Sequence, residues 1–269
     1  MTQIHGAKPG LIAALRAELR RRHYSPRTER AYATWVRRFV EFHGRRSPRE
    51  LGAEELGAFL DDLIRQGLSR SSHQQALCAL VFMYQQVLKS DPPWLAEMAR
   101  PKQTRSLPVV LTRGEVTRVL AQMEGVTALM AQLMYGSGVR LAECAAVRVK
   151  DLDFAAQQFF VRRGKRNKDR VTLLPRRLQA PICQHLEAVK AQHARELAAG
   201  HGRVALPDGL ARKYPNAAQA WGWQWVFPAT RHYRDSETGE HRRHHLHPTV
   251  LQRKFHEALQ RTNEAAARR

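Results

Sequence analysis

The feature that most constrains the fold is an interruption. Asp91-Pro92-Pro93 is followed, a few residues on, by Arg100-Pro101-Lys102-Gln103-Thr104-Arg105-Ser106-Leu107-Pro108. Proline has no amide hydrogen and pushes the preceding residue out of helical geometry, so no helix can run through this stretch. Its polar, basic, proline-bearing character reads as a linker. The chain therefore divides into a domain at 1–100, a linker at 101–111 and a second domain at 112–269, and its 269 residues suffice for two modest domains.

The first domain reads as an all-helical bundle. One helix is expected over about Leu11 to His23. Ser25-Pro26 opens a second, with Ser25 as N-cap and Pro26 at the first helical position. There Tyr32, Trp35, Phe39 and Phe42 recur at three- and four-residue spacing, an apolar stripe that reads as core, with Arg37, Arg38, Arg45 and Arg46 off or beyond it. A third helix covers about Ala53 to Arg65. A fourth starts at Ser71 or Ser72 and carries Leu77, Leu80, Val81, Tyr84 and Val87.

The second domain is mixed α/β. Thr112-Arg113-Gly114-Glu115 is a capping box, in which the threonine caps the helix and the glutamate reaches back. Helices are expected over about Glu115–Met123, Val126–Tyr135 and from Arg140 to near Val147. A short sheet begins at Asp151 to Phe154, and Gln158 to Val161 and Arg170 to Leu174 form the arms of a hairpin. A helix over about Pro181 to Ala198 follows, then an irregular stretch from Gly200 to Asn216. Next come Trp221, Trp223 and Trp225, a polar histidine-rich segment, and a last helix from about Pro248 to Gln260.

Charge narrows the partner. Lys and Arg total 45 against 24 Asp and Glu, a net charge of +21. That excess opposes a compact fold unless an anion neutralises it, and arginine's planar fork suits phosphate. Cys78, Cys144 and Cys183 are widely separated and flanked by apolar residues, which reads as reduced core thiols rather than a disulfide framework. No apolar run reaches the roughly 20 residues that span a bilayer, and no secretion signal opens the chain, so a cytoplasmic, nucleoid-associated protein is expected.

Two fragments carry chemistry. In Gly136-Ser137-Gly138-Val139-Arg140 a glycine-punctuated break can aim the Arg140 guanidinium at a phosphate, with Glu143 one turn on to orient it. Alone, the pattern fits a surface arginine with an i,i+3 partner equally well. In Gly164-Lys165-Arg166-Asn167-Lys168-Asp169-Arg170 the lysine at the tip can protonate a leaving oxygen, with Lys168 and Arg170 as phosphate contacts. Alone, it fits a solvated basic turn. His241, His244, His245 and His247 lack nearby cysteines, which argues against zinc; partial protonation against phosphate suits them better.

Together the fragments resemble a known family. Tyr135 to Glu143 resembles the first arginine box of tyrosine recombinases, and Val149-Lys150-Asp151-Leu152-Asp153-Phe154 with the Gly164 turn continues the likeness. Leu206 to Ala218, Trp221-Gly222-Trp223-Gln224 and His241 to His247 narrow it to integron integrases. The resemblance implies a SAM-like core-binding bundle followed by a recombinase catalytic domain, the two closing on DNA like a C. It implies Arg140 as the first catalytic arginine, Glu143 as its supporting acid and Lys165 as general acid. An insertion at about 200–247 grips the extrahelical bases of folded single-stranded sites, with Trp221, Trp223, Pro228, His244 and His245 as the candidates. DNA, single-stranded hairpin or duplex, is the implied partner. A synaptic tetramer is the full-length assembly, and no cofactor or metal is required.

The resemblance also implies a His-x-x-Arg pair, a further His or Trp and a nucleophilic tyrosine beyond the last helix. None follows here. His247, Arg253 and His256 match positions before that pair, and Tyr214 and Tyr233 belong to the insertion. The expectation is a C-terminally truncated catalytic domain that binds DNA without cleaving it. The alternatives are a dedicated regulatory binder and a poorly folded remnant.

Overall fold

The computed structural model describes residues 10–90, 94, 110–162, 164, 168–207, 209–236 and 238–267. They fall into two compact units, Met1–Leu107 and Pro108–Arg269. The helix stop at Asp91-Pro92-Pro93 and most of the expected linker lie outside the described residues.

The first unit is a helical bundle of α1 (Leu11–Arg21), α2 (Pro26–Phe42), α3 (Ala53–Arg65) and α4 (Arg70–Phe82), the last running into a π-helical turn over Met83–Val87. The Ser25 hydroxyl accepts from the Thr28 amide and Pro26 occupies the first turn, as expected. The fourth helix starts a residue or two earlier than its sequence suggests, because Ser69 rather than Ser71 caps it, accepting from the Ser72 amide. The aromatic stripe is mostly interior. Phe39 is fully buried and Trp35 nearly so, whereas Phe42 at the end of α2 stays exposed.

The second unit opens with α5 (Arg113–Ala121), α6 (Gly125–Ser137) and α7 (Leu141–Ala145). The Thr112–Glu115 capping box forms in both directions. Strands β1 (Leu152–Asp153), β2 (Gln158–Val161) and β3 (Arg170–Leu173) make an antiparallel sheet in the order β1-β2-β3. Val161 pairs with Arg170, which fixes the hairpin register at the base of the basic turn. Helices α8 (Gln179–Ala198) and α10 (Pro248–Ala267) complete the layer. Met130 and Leu133 of α6, Phe159 of β2, Ile182 of α8 and Ala258 of α10 are almost wholly buried in one core.

Two expectations are corrected here, and one unassigned stretch is filled in. The stretch 200–216 is not wholly irregular: it holds β4 (Arg203–Val204) and the short helix α9 (Leu210–Lys213). The histidine-rich segment, to which its sequence assigns no element, is built of strands. It forms β5 (Pro228–Arg234) and β6 (His241–His245), joined with β4 in a second sheet of order β4-β6-β5. Cys144 is a buried thiol, but Cys78 and Cys183 are exposed, since each falls on the outer face of its helix.

Candidate active site

Arg140 is placed by the end of one helix and the start of the next. Gly138 adopts φ 64°, ψ 21° and closes α6 in the left-handed region that a side chain disfavours. Gly136 has no room for a side chain, because a Cβ there would lie 2.5 Å from the Pro175 ring. Val139 turns into the core, and Arg140 leaves it as the N-cap of α7, with its side chain about half exposed.

Glu143 is the hub. Its carboxylate accepts from the Arg140 amide at 2.8 Å and from the Arg140 guanidinium at 3.0 Å. From the hairpin it accepts a two-pronged contact with Arg170, at 2.8 and 2.6 Å. These bonds, Arg170's foremost and Arg140's after it, hold the Glu143 carboxyl at about 2 against the opposing effect of burial. Arg170 is correspondingly held above its ordinary value by Glu143. One anion thus fixes two cations, and Arg140 keeps its outer face open to solvent, as a phosphate clamp requires.

The hairpin base comes to the same place. The Gly164 amide donates to the Lys168 carbonyl at 3.0 Å, closing the turn. A Cβ on Gly164 would lie 2.9 Å from the Arg170 guanidinium and 3.2 Å from the Glu143 carboxylate. Lys168 is exposed. Lys165 lies outside the described residues, and with it the expected convergence of Lys165 on Arg140.

The insertion candidates separate. Trp221 packs against the core of the unit. Trp223 is half-buried, with the Lys150 ammonium 3.5 Å from its ring centroid. Pro228 is half-buried, and His244 is exposed beside the half-buried His245, ring centroids 4.0 Å apart. Burial pushes His245 below its ordinary value, with His244, His247 and Arg148 adding to the effect. Among the described residues no group of three or more His, Cys, Asp or Glu side chains could hold a metal ion.

Sequence reasoning missed two residues. Trp225 is buried, its indole N–H donating to the Arg243 carbonyl at 3.1 Å. Arg148 is buried as well and lies over the Trp225 ring at 3.8 Å. Its only sequence signal is its place two residues before Lys150 in an otherwise apolar run. A groove of about 730 Å³ is lined by Glu143, Asp169, Arg148, Lys150, Trp223 and Pro207, among others. It therefore has walls from the arginine box, the hairpin and the insertion.

Fold and site point one way, and comparison with known proteins agrees. Residues 11–94 match the phage integrase N-terminal SAM-like domain, and residues 109–267 match the phage integrase family. The chain belongs to the phage integrase family, the tyrosine recombinases, with an N-terminal SAM-like domain. It is 47% identical over 251 residues to an Escherichia coli protein named integrase/recombinase, across 93% of this chain and 74% of that protein. It is 34% identical over 166 residues to tyrosine recombinase XerA of Thermococcus onnurineus, across 61% of this chain and 56% of the relative. A lambda integrase, solved as a tetramer bound to a Holliday junction, shares the fold at a TM-score of 0.58 and 13% identity, over 94% of this chain and 62% of that one. Membership implies site-specific DNA recombination as the family's activity. Among the described residues no helix is long and apolar enough to cross a membrane.

Proposed function

We propose that this chain is an integron-type integrase whose residues 1–269 grip recombination sites, both duplex and folded from a single strand, in the bacterial cytoplasm. The carrying observation is the Glu143 carboxylate, which gathers Arg140 and Arg170 beside the base of the Gly164 turn. In this reading Arg140 holds the scissile phosphate and stabilises charge growing on its oxygens. Glu143 fixes Arg140, Lys165 delivers a proton to the leaving 5′ oxygen, and Lys168 contacts a neighbouring phosphate. Trp223, Pro228, His244 and His245 meet the extrahelical bases, each stacked base contributing about 1–3 kcal/mol. Trp221 supports them from the core side. Assembly into a tetramer on paired sites belongs to the same reading.

The covalent step needs a tyrosine to attack the phosphate and form a 3′-phosphotyrosyl link. Between residues 141 and 269 no His-x-x-Arg occurs, and Tyr214 and Tyr233 are the tyrosines there. Tyr214 follows α9 and Tyr233 lies within β5, both inside the insertion. Residues 1–269 by themselves therefore bind and polarise a phosphate without forming the link.

Two measurements test this. A nicked suicide substrate run on a denaturing gel is expected to show no protein–DNA adduct, and an adduct would overturn the non-covalent half. Competition between an integron hairpin with unpaired bases and a fully paired hairpin, at one salt concentration because non-specific affinity is salt-driven, tests the rest. Equal affinity for the two would defeat the integron assignment.

A further inference from the structure

We infer that Arg148 is a positioning residue for base recognition: its buried guanidinium fixes the tryptophan turn of the insertion on the catalytic unit, so that Trp223 stands where an unpaired base can stack. This rests on the hairpin reading proposed above.

The geometry is specific. Arg148 is 8% exposed and carries its charge into the interior. Its guanidinium lies over Trp225 at 3.8 Å and over Trp223 at 5.3 Å. One arm donates to the Trp223 carbonyl and the other to the Ala205 carbonyl at 2.7 Å. Those carbonyls belong to separate segments, the turn after Ala220 and the strand exit after Val204. A single planar cation therefore sets the spacing of both against the body of the unit. The backbone around it repeats the connection. Val149 donates to Gln224 and Val226 donates to Val147, each at 3.0 Å, so residues 147–149 pair with residues 224–226 as a short antiparallel bridge centred on Arg148 and Trp225.

The chemistry is an unusual choice if stability alone mattered. Burial pulls Arg148 down to about 10, opposed by the nearby Asp151 charge, so the group remains a cation at neutral pH. Its hydrogen bonds go to carbonyls and its faces to indoles, while the Asp151 carboxylate takes the Arg148 backbone amide at 3.3 Å and spends its other oxygen on the Arg162 guanidinium, also at 3.3 Å. An apolar side chain of similar volume serves a core as well or better than a buried charge. A planar fork does what an apolar side chain does not: it reads two acceptor positions and sets the angle of the turn that carries Trp223. Lys150, whose ammonium lies over the same indole, follows two residues later, so the turn and its cation neighbour are placed by one short segment.

The test uses the full chain and two fluorescent DNA hairpins with the same stem, one with unpaired bases and one fully paired, at one salt concentration. The variants are Arg148→Met and Arg148→Lys, the second keeping the charge without the fork. For both, the preference for unpaired bases is expected to fall about tenfold, the scale of one lost stacking contact. Affinity for the paired hairpin should fall far less. A parallel loss on both hairpins would assign Arg148 a purely structural role, and an unchanged preference would remove it from recognition; either overturns the inference. If Arg148→Met shows no cooperative unfolding transition, Arg148→Lys decides. A wild-type chain without any preference would instead defeat the hairpin reading itself, a result distinct from a preference that survives the substitution.

Discussion

Two carboxylates in the second unit each hold two basic side chains, and they do it for different ends. Glu143 binds Arg140 and Arg170 where α7 meets the hairpin, and the Arg140 side chain is still 56% exposed. Glu196 on α8 binds Arg243 and His232 of the second sheet, and there the Arg243 side chain is 9% exposed. Arg243 also donates to the Ala229 carbonyl, which leaves it little to offer a ligand. The first cluster presents a cation and the second uses one up to tie a sheet to a helix. Composition is nearly the same in both, so burial of the cation is what separates a cluster with a guanidinium open to solvent from one that holds the fold.

The sharpest way to break the comparison is to remove a cation from the buried cluster. Arg243→Met leaves the half-buried Glu196 beside a half-buried histidine and without its buried arginine, and breaking a buried pair costs about 3–5 kcal/mol. Urea denaturation followed through tryptophan emission measures it. A loss below about 1 kcal/mol would place Arg243 with the surface pairs and erase the distinction drawn here.

Acid separates the clusters next. The Glu143 carboxyl is held at about 2, well below its ordinary 4.5, so its stabilisation is complete above about pH 4.5 and is lost as pH falls through about 2. Glu196 is also lowered, but burial opposes the bonds from Arg243, His232 and Gln192 that lower it. Glu143→Gln is expected to cost the roughly 1.5–3 kcal/mol of a charge-assisted pair at pH 7. The gap between variant and wild type should hold down to about pH 4.5 and narrow below it. A gap that stayed constant to pH 3 would mean that the carboxylate charge contributes nothing there.

Arg140→Ala reverses the expectation set for Arg243. Stability should change by less than about 1 kcal/mol, as for other exposed pairs. DNA affinity should fall about tenfold, and the slope of affinity against salt should drop by about one phosphate contact. Equilibrium binding over a salt series reads both numbers. A large loss of stability with unchanged DNA affinity would move Arg140 into the structural class.

How much of this was legible follows the same division. Caps and apolar periodicity placed α1 to α8 and α10, because Ser25, Thr112 and the aromatic stripe act through neighbours only a turn away. Gln158–Val161 was readable as a strand because Phe159 and Val161 alternate into the core. The second sheet was not, since β5 and β6 are built from Arg, His and Tyr and bury Arg243 where a strand of this kind would bury an aliphatic residue. Arg140 and Glu143 were legible because they sit three residues apart. The tie from Glu143 to Arg170 spans 27 residues, and that from Arg148 to the Trp223 carbonyl spans 75, so neither leaves a local pattern. The outward turn of Cys78 and Cys183 was missed because apolar neighbours in sequence need not share a helix face.

The smallest expected effect probes the one feature the buried cluster lacks, a glycine at the meeting point. Gly164→Ala adds a Cβ 3.0 Å from the Lys168 carbonyl and 2.9 Å from the Arg170 guanidinium. The guanidinium can swing away, but the carbonyl is backbone and closes the turn. The cost should be about 1 kcal/mol, near the centre of ordinary substitutions. If the movement is carried through Arg170, the Glu143 carboxyl should rise from about 2 toward its ordinary value as the two-pronged contact loosens. Carboxyl titration by NMR in wild type and Gly164→Ala reads that shift. An unmoved Glu143 would show that the turn takes up the Cβ without disturbing the two-pronged Arg170 contact, so that the hairpin base and the arginine box are neighbours without being coupled.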